Sequence, residues 1–186
     1  MPEDPDLLRR LGLVLLCSGD RAGWRGATAA GLDRFAGTSS VWSAYRLALT
    51  CLLGPEGTAD PKVPVRLAEV AVRGAGSETT KSTYSSTLGA VLYRAGRFNE
   101  AIGRLEEGIR LRGGVSLPQE WAFLAMTHHR LGHRDEALRW LDRLREHQPA
   151  ADPTQFWNEL ESGLLRSEAE AVVLYDSVFP ADPFAH

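Results

Sequence analysis

Hydrophobic residues recur every three or four positions along most of the chain, starting at Leu7. This spacing places apolar side chains on one face of an α-helix, and the strict alternation of apolar and polar residues that indicates half-buried strands is missing. Gly, Pro, Asp and Ser cluster between the periodic segments and predict helix ends. The predicted breaks lie at residues 18–20, 37–40, 54–64, 74–82, 95–97, 113–118, 131–135 and 148–153. The pattern predicts an all-α protein with short links between its helices.

Two segments of the chain repeat one arrangement of small and large residues. "LGAVLYRAGRFNEAIGRLEEG" at 88–108 is echoed by "LAMTHHRLGHRDEALRWLDRL" at 124–144, an offset of 124 minus 88, or 36 residues. Each contains a small residue, a turn glycine and an alanine in the same order: Gly89, Gly96 and Ala101 in the first, Ala125, Gly132 and Ala137 in the second. Small side chains at matched positions let two helices cross closely, and a glycine ends a helix in a conformation that other residues avoid. The repeat therefore predicts two consecutive helix pairs.

These positions resemble those of the tetratricopeptide repeat (TPR) family. Residues 118–151 match it at Trp121, Leu124, Ala125, His128, Gly132, Ala137, Leu141 and Pro149. Residues 82–115 match it at Ser85, Leu88, Gly89, Leu92, Gly96, Ala101, Leu105 and Gly113. Segments 7–36 and 41–74 match as divergent repeats, although Trp24 stands where a small residue is expected.

The resemblance covers nearly all of the chain and implies one TPR-like domain over residues 1–186. The implied fold is a right-handed α-solenoid of antiparallel helix pairs. Residues 153–175 would form a capping helix, started by Asp152 ahead of Pro153, and residues 176–186 an extended tail. More narrowly, the repeats and the ending "VFPADPFAH" look like the C-terminal TPR segments of large bacterial regulatory proteins that carry kinase or β-propeller modules.

TPR arrays usually act as non-enzymatic scaffolds that hold a peptide or helix of a partner protein in a concave groove. The resemblance places these residues on the groove: Trp42, Tyr45, Leu49, Thr83, Ser86, Ala90, Tyr93, Arg94, Gln119, Ala122, Met126, His129 and Arg130. The candidate partner-binding residues among them are Trp42, Tyr45, Tyr93, Arg94, Gln119, Met126, His129 and Arg130. The two arginines offer charge to an acidic group. The Lys and Asn pattern with which chaperone-binding members clamp a carboxylate is absent at these positions.

Composition narrows the classes of partner. The chain has 21 Lys and Arg against 24 Asp and Glu, a net charge of -3, with the two signs interspersed. Such a balance argues against nucleic acid and against an anionic membrane surface. Cys17 and Cys51 each lie in an apolar run, which predicts buried thiols and a cytoplasmic protein. No signal peptide or membrane-spanning stretch is expected.

The segment "THHRLGH" is the most enzyme-like feature of the chain. His129 and His133 are four positions apart, a spacing at which helical histidines can share a metal ion. The repeat alignment predicts instead that His128, His129 and His133 diverge, so we expect no metal. Motifs for a nucleophile or a phosphate-binding loop are missing, and we expect neither a cofactor nor an enzymatic activity.

A second class of function remains open from the sequence. The chain could serve as a structural module that self-associates through its terminal helix and tail. In that case Trp42, Trp157 or the tail around Phe179 would seal a homodimer.

Overall fold

The computed structural model describes residues 4–35, 37–149 and 152–175. In chain order its α-helices are α1 Pro5–Cys17, α2 Arg21–Phe35, α3 Val41–Leu52, α4 Lys62–Arg73, α5 Glu78–Arg94, α6 Phe98–Leu111, α7 Pro118–Arg130, α8 Arg134–Glu146 and α9 Phe156–Glu170. A 3₁₀ turn precedes α9 at Pro153–Gln155, and a π-helical turn follows it at Ala171–Tyr175. These residues contain no strand, so the all-α prediction is confirmed. The tail predicted for 176–186 lies outside the described residues.

Local capping chemistry sets several helix starts. The Asp4 carboxylate accepts a hydrogen bond from the backbone N–H of Asp6 (2.9 Å) just ahead of Pro5, and Asp152 does the same for Thr154 (2.9 Å). Ser77 and Thr80 form a reciprocal capping box, which begins α5 at Glu78. The predicted break at 74–82 is therefore too long, because its last residues already belong to a helix.

The expected close crossing of α5 and α6 is present at Gly89. A Cβ atom at this position would lie 2.9 Å from the carbonyl oxygen of Ala101 and 2.6 Å from Cγ of Leu105. The turn glycines also behave as expected, with φ of +74° at Gly96 and +78° at Gly132. Backbone-to-backbone contact at this crossing leaves no space for a side chain, so the small residue is a requirement of the packing.

Trp24 is a large residue where the repeat pattern expects a small one, and the glycines around it explain how its side chain fits. The indole is 2% exposed and lies against three glycines from two segments, α1 and the link between α3 and α4. A Cβ at Gly12 would be 3.2 Å from its Cδ1 atom, one at Gly54 would be 3.3 Å from Cη2, and one at Gly57 would be 3.0 Å from Cζ2. The large residue on α2 is thus accommodated by small residues on α1 and in the α3–α4 link.

The odd-numbered helices form the inner part of the molecule. Each one contacts the next, α1 with α3, α3 with α5, α5 with α7 and α7 with α9. Helix α9 also contacts α8, as a cap on the last pair would, and in addition it contacts α1. We call these five helices the inner ring, since α9 links the last helix pair back to the first. The even-numbered helices α2, α4, α6 and α8 pack against their odd-numbered partners.

None of the described helices is both long enough and apolar enough to cross a membrane. The two cysteines differ in accessibility. Cys51 is buried, as predicted, but Cys17 is exposed at the end of α1, so the expectation of a buried thiol was wrong there. Leu13, in the same apolar run as Cys17, is buried in the core. Cys17 is the last residue of α1, and its thiol is exposed to solvent.

We therefore expect one fast-reacting thiol in the native protein. Burial raises the pKa of the Cys51 thiol to about 12, so its thiolate is almost absent at pH 8, whereas Cys17 is open to solvent. A chromogenic disulfide reagent should modify one thiol per native chain, and the second only after denaturation. The Cys17→Ser variant should lose the native reaction. A fast reaction that survives in this variant would contradict the burial of Cys51.

Candidate functional site

The inner ring contains a partly open cavity of about 240 Å³ to which all five of its helices contribute. Arg9 comes from α1, Tyr45 from α3, Ser86 from α5, Glu120 from α7 and Glu161 from α9. These residues are far apart in the sequence and meet because each inner helix contacts the next, with α9 contacting both α7 and α1. The cavity is thus a property of the closed ring.

Two ion pairs hold α9 against the inner helices. Arg9 bonds to Glu161 with side chains only 6% and 5% exposed. Arg94 of α5 holds Glu168 through both terminal nitrogens, one of them 2.6 Å from Oε2, and it also donates to the carbonyl oxygen of Leu52 (2.8 and 3.1 Å). A bidentate guanidinium–carboxylate pair fixes orientation as well as distance. Helix α9 is therefore positioned by charge at two points along its length.

Apolar contacts support the same arrangement. Leu13, Trp24 and Leu53 form a small buried cluster of their own. Three residues of α9 pack against it at helical spacing: Trp157, Leu160 and Leu164. The guanidinium of Arg10 also lies 5.4 Å from the Trp157 ring centroid. Helix α9 is therefore amphipathic, and its apolar face packs on the rest of the chain as the apolar face of a bound helix would.

Glu120 is the most heavily bonded polar residue of the cavity wall, and sequence reasoning missed it in favour of its neighbour Gln119. It is 3% exposed. Its carboxylate accepts from Arg112 (2.9 and 3.0 Å), from the Ser86 hydroxyl (2.5 Å) and from the backbone N–H of Leu117 (2.8 Å). The sequence signal that could have identified Glu120 is its place in the first turn of α7, where the helix dipole stabilises a carboxylate. Its partners on α5 and α6 are not visible in the local sequence.

Several residues assigned to the groove do lie on the inner side of the molecule. Those that line the cavity are Tyr45, Leu49, Thr83, Ser86, Ala90 and Gln119. Arg94 and Arg130 lie instead beside Glu168 in a second, more open depression that Tyr93 and Phe98 also border. The residues assigned to one groove therefore lie in two separate depressions.

Two of the candidate contact residues are interior in this conformation. Met126 is fully buried, and Tyr93 is 7% exposed with its ring against Phe98 and Phe123. Burial raises the pKa of the Tyr93 hydroxyl. Met126 therefore has no surface to offer an incoming ligand, and Tyr93 offers only a small one, in the second depression. Trp42, in contrast, is 52% exposed at the start of α3.

The histidines do not diverge as predicted. The Nδ1 atoms of His128 and His133 are 3.3 Å apart, because the Gly132 turn folds His133 back so that its N–H bonds to the carbonyl of His128. Burial and the neighbouring His133 lower the pKa of His128. His129 is half-buried and takes no part in this pair. Within the described part of the chain, no three His, Cys, Asp or Glu side chains are grouped to hold a metal ion.

Comparison of the chain with protein-family models, with curated proteins and with solved structures finds no match. Function is therefore inferred from the geometry of this chain. The main elements of this geometry are the inner ring, its partly open cavity and the two ion pairs that hold α9 against the inner helices.

Proposed function

We propose that the chain is a non-enzymatic protein–protein interaction module, a TPR-like right-handed solenoid that binds a helix of a partner protein on its inner surface. The observation that carries this proposal is that α1 and α7, two of the helices that form this surface, already hold a helix, α9. A surface that accommodates one amphipathic helix has the shape and chemistry to accommodate another. We place this module in the cytoplasm of a bacterial cell, in keeping with two unpaired cysteines.

The contacts of α9 indicate the chemistry of the partner helix. Glu161 and Glu168 are 168 minus 161, or seven, residues apart, which is about two turns of helix, and both meet arginines of the inner surface. Between them Leu164 packs on the apolar cluster. The module would therefore prefer an acidic amphipathic helix over a basic one.

Such a partner competes with α9. Because α9 is tethered to the same chain, it acts at a high effective concentration and keeps most molecules closed. The apparent affinity for a partner is its intrinsic affinity reduced by the fraction of molecules whose α9 is displaced. Changes that weaken α9 alone should therefore strengthen binding in trans.

We expect Glu168→Ala to bind a labelled peptide of the α9 sequence, residues 152–175, about tenfold more tightly than wild type. The variant loses a charge-assisted pair that holds its own α9, but Arg94 stays available to the glutamate of the peptide. Fluorescence anisotropy titration of the full chain measures the change. Ser167→Ala, at an exposed position of the same helix, is the matched control and should bind as wild type does.

The gain should vanish in the Arg94→Ala/Glu168→Ala double variant. Without Arg94 the peptide and the chain's own α9 are weakened alike, so the competition returns to its wild-type balance. A Glu168→Ala protein that binds no peptide, or a gain that persists without Arg94, would argue against the inner surface as the binding site.

Self-association through the terminal helix and tail is the alternative proposal, and the exposure of two aromatic residues favours keeping it. Trp42 is 52% and Phe156 is 57% exposed. Trp157 is half-buried within its own chain, and Phe179 lies outside the described residues. Light scattering across a range of concentrations separates the two proposals, because a strict monomer rules out the homodimer.

A further inference from the structure

We propose that His128 and His133 bind a zinc ion through their Nδ1 atoms at the turn between α7 and α8. These two atoms are 3.3 Å apart. A tetrahedral zinc ion binds histidine nitrogens at about 2.0–2.1 Å, which places two such nitrogens about 3.3–3.4 Å from each other. The observed separation therefore matches that of two ligands on one zinc ion. Neither histidine lines the cavity or the second depression, so the site is separate from both of them.

The backbone of the turn holds the two rings together. The N–H of His133 bonds to the carbonyl oxygen of His128 (2.9 Å), and the N–H of Gly132, which has φ of +78°, bonds to that of His129 (3.0 Å). These are the two hydrogen bonds of the Schellman motif, in which side chains at the positions of His128 and His133 frequently meet. Because the motif already orders both residues, little conformational freedom is lost when an ion binds.

The Gly96 turn has the same backbone motif without the ligands. There the N–H of Arg97 bonds to the carbonyl oxygen of Leu92 (2.9 Å), and Gly96 has φ of +74°. Arg97 and Leu92 correspond to His133 and His128, since 133 minus 97 and 128 minus 92 are both 36. A guanidinium group offers no lone pair, and a leucine side chain offers none either. Of these two turns, only the second therefore carries a pair of zinc ligands.

The facing nitrogens are available to a metal ion. Two Nδ1 atoms 3.3 Å apart cannot both carry a proton, so at least one of them presents its lone pair to the other. Burial and the neighbouring His133 lower the pKa of His128, which keeps this imidazole neutral at pH 7.5. When zinc takes the place of the shared proton, that proton moves to Nε2 of its own ring.

The charges around the pair favour a cation. The carboxylates of Glu136 on α8 and Glu106 on α6 both act on His128, and Glu136 also acts on His133. Arg139 pairs with Glu136 (2.9 Å) and offsets one of the two negative charges. The other negative charge supports a bound divalent ion.

Two histidines supply half of a tetrahedral coordination shell, and water fills the other two positions. Among the residues that the structure describes, no third His, Cys, Asp or Glu joins the group. The site is therefore weaker than a structural zinc site, which has four protein ligands. Its ion would link the last turn of α7 to the residue that precedes α8, and so stabilise this helix pair.

Isothermal titration of zinc chloride into the metal-free full chain at pH 7.5 tests the site. We expect one ion per chain, with a dissociation constant on the order of 0.1 mM or tighter. Magnesium chloride should give no measurable binding, because magnesium prefers oxygen ligands to imidazole. Zinc at ten times its dissociation constant should also raise the melting temperature by about 3–5 °C.

His133→Gln identifies the ligand pair. The residue is exposed, so the variant should fold as wild type does. We expect it to bind zinc at least tenfold more weakly and to lose the rise in melting temperature. His129→Gln, at a neighbouring histidine that is not in the pair, is the matched control and should bind zinc as wild type does. Absence of zinc binding, equal binding of magnesium, unchanged binding by His133→Gln or an equal loss in His129→Gln would overturn the proposal.

Discussion

Replacing Gly89 with alanine should lower the free energy of unfolding by about 2–3 kcal/mol. The added Cβ would lie 2.9 Å from both the Ala101 carbonyl oxygen and the Leu105 backbone nitrogen, and 2.6 Å from Cγ of Leu105. Because two of these neighbours are backbone atoms, a change of rotamer cannot relieve the overlap, and α5 must move away from α6. That movement loosens every side chain that packs across the crossing.

The same substitution at Gly103 provides the matched control. Gly103 lies in the middle of α6, and a Cβ there would meet nothing within 4 Å. Alanine should therefore stabilise the helix by about 0.5–1 kcal/mol, through helix propensity alone. Urea denaturation of both variants measures the two changes. Two glycine-to-alanine variants of similar stability would mean that the helices do not approach each other closely at Gly89.

Replacing Glu161 with alanine should cost about 3–5 kcal/mol of folding free energy. Glu161 and Arg9 are 5% and 6% exposed at their side chains, so the variant leaves a buried guanidinium without its counter-charge. Loss of the pair also weakens the link between α9 and α1, which closes the inner ring. We expect a urea midpoint below that of wild type, measured by the loss of helical circular dichroism.

An Arg9→Met/Glu161→Leu double variant should recover most of this loss. Two apolar side chains of similar size avoid the desolvation cost that both charges carry, so replacing a whole buried pair is often neutral. The exposed pair of Arg139 and Glu136 is the control, because solvent screens this pair and Glu136→Ala should leave the urea midpoint close to that of wild type. A Glu161→Ala variant as stable as this control would contradict the docking of α9 on α1.

Local features could be read from the sequence because they depend on neighbouring residues. The spacing of Gly89, Gly96 and Ala101 predicted a helix pair, and the structure places helices on both sides of the Gly96 turn. The prediction for Cys17 failed because apolar neighbours in the sequence do not say which side of a helix end a thiol takes. The prediction that the histidines diverge failed for His128 and His133, because the repeat alignment does not show that the Gly132 turn folds His133 back to His128.

The sequence by itself determined the all-α class and the helix boundaries within a few residues, since both depend on periodicity over one or two helical turns. Only the tertiary structure decided that α9 reaches α1, that Arg9 meets Glu161 across 152 positions and that a cavity lies between them. The physical reason is a difference in range. Periodicity acts over neighbouring turns of one helix, whereas the contact of α9 with α1 depends on how all the helices between them pack.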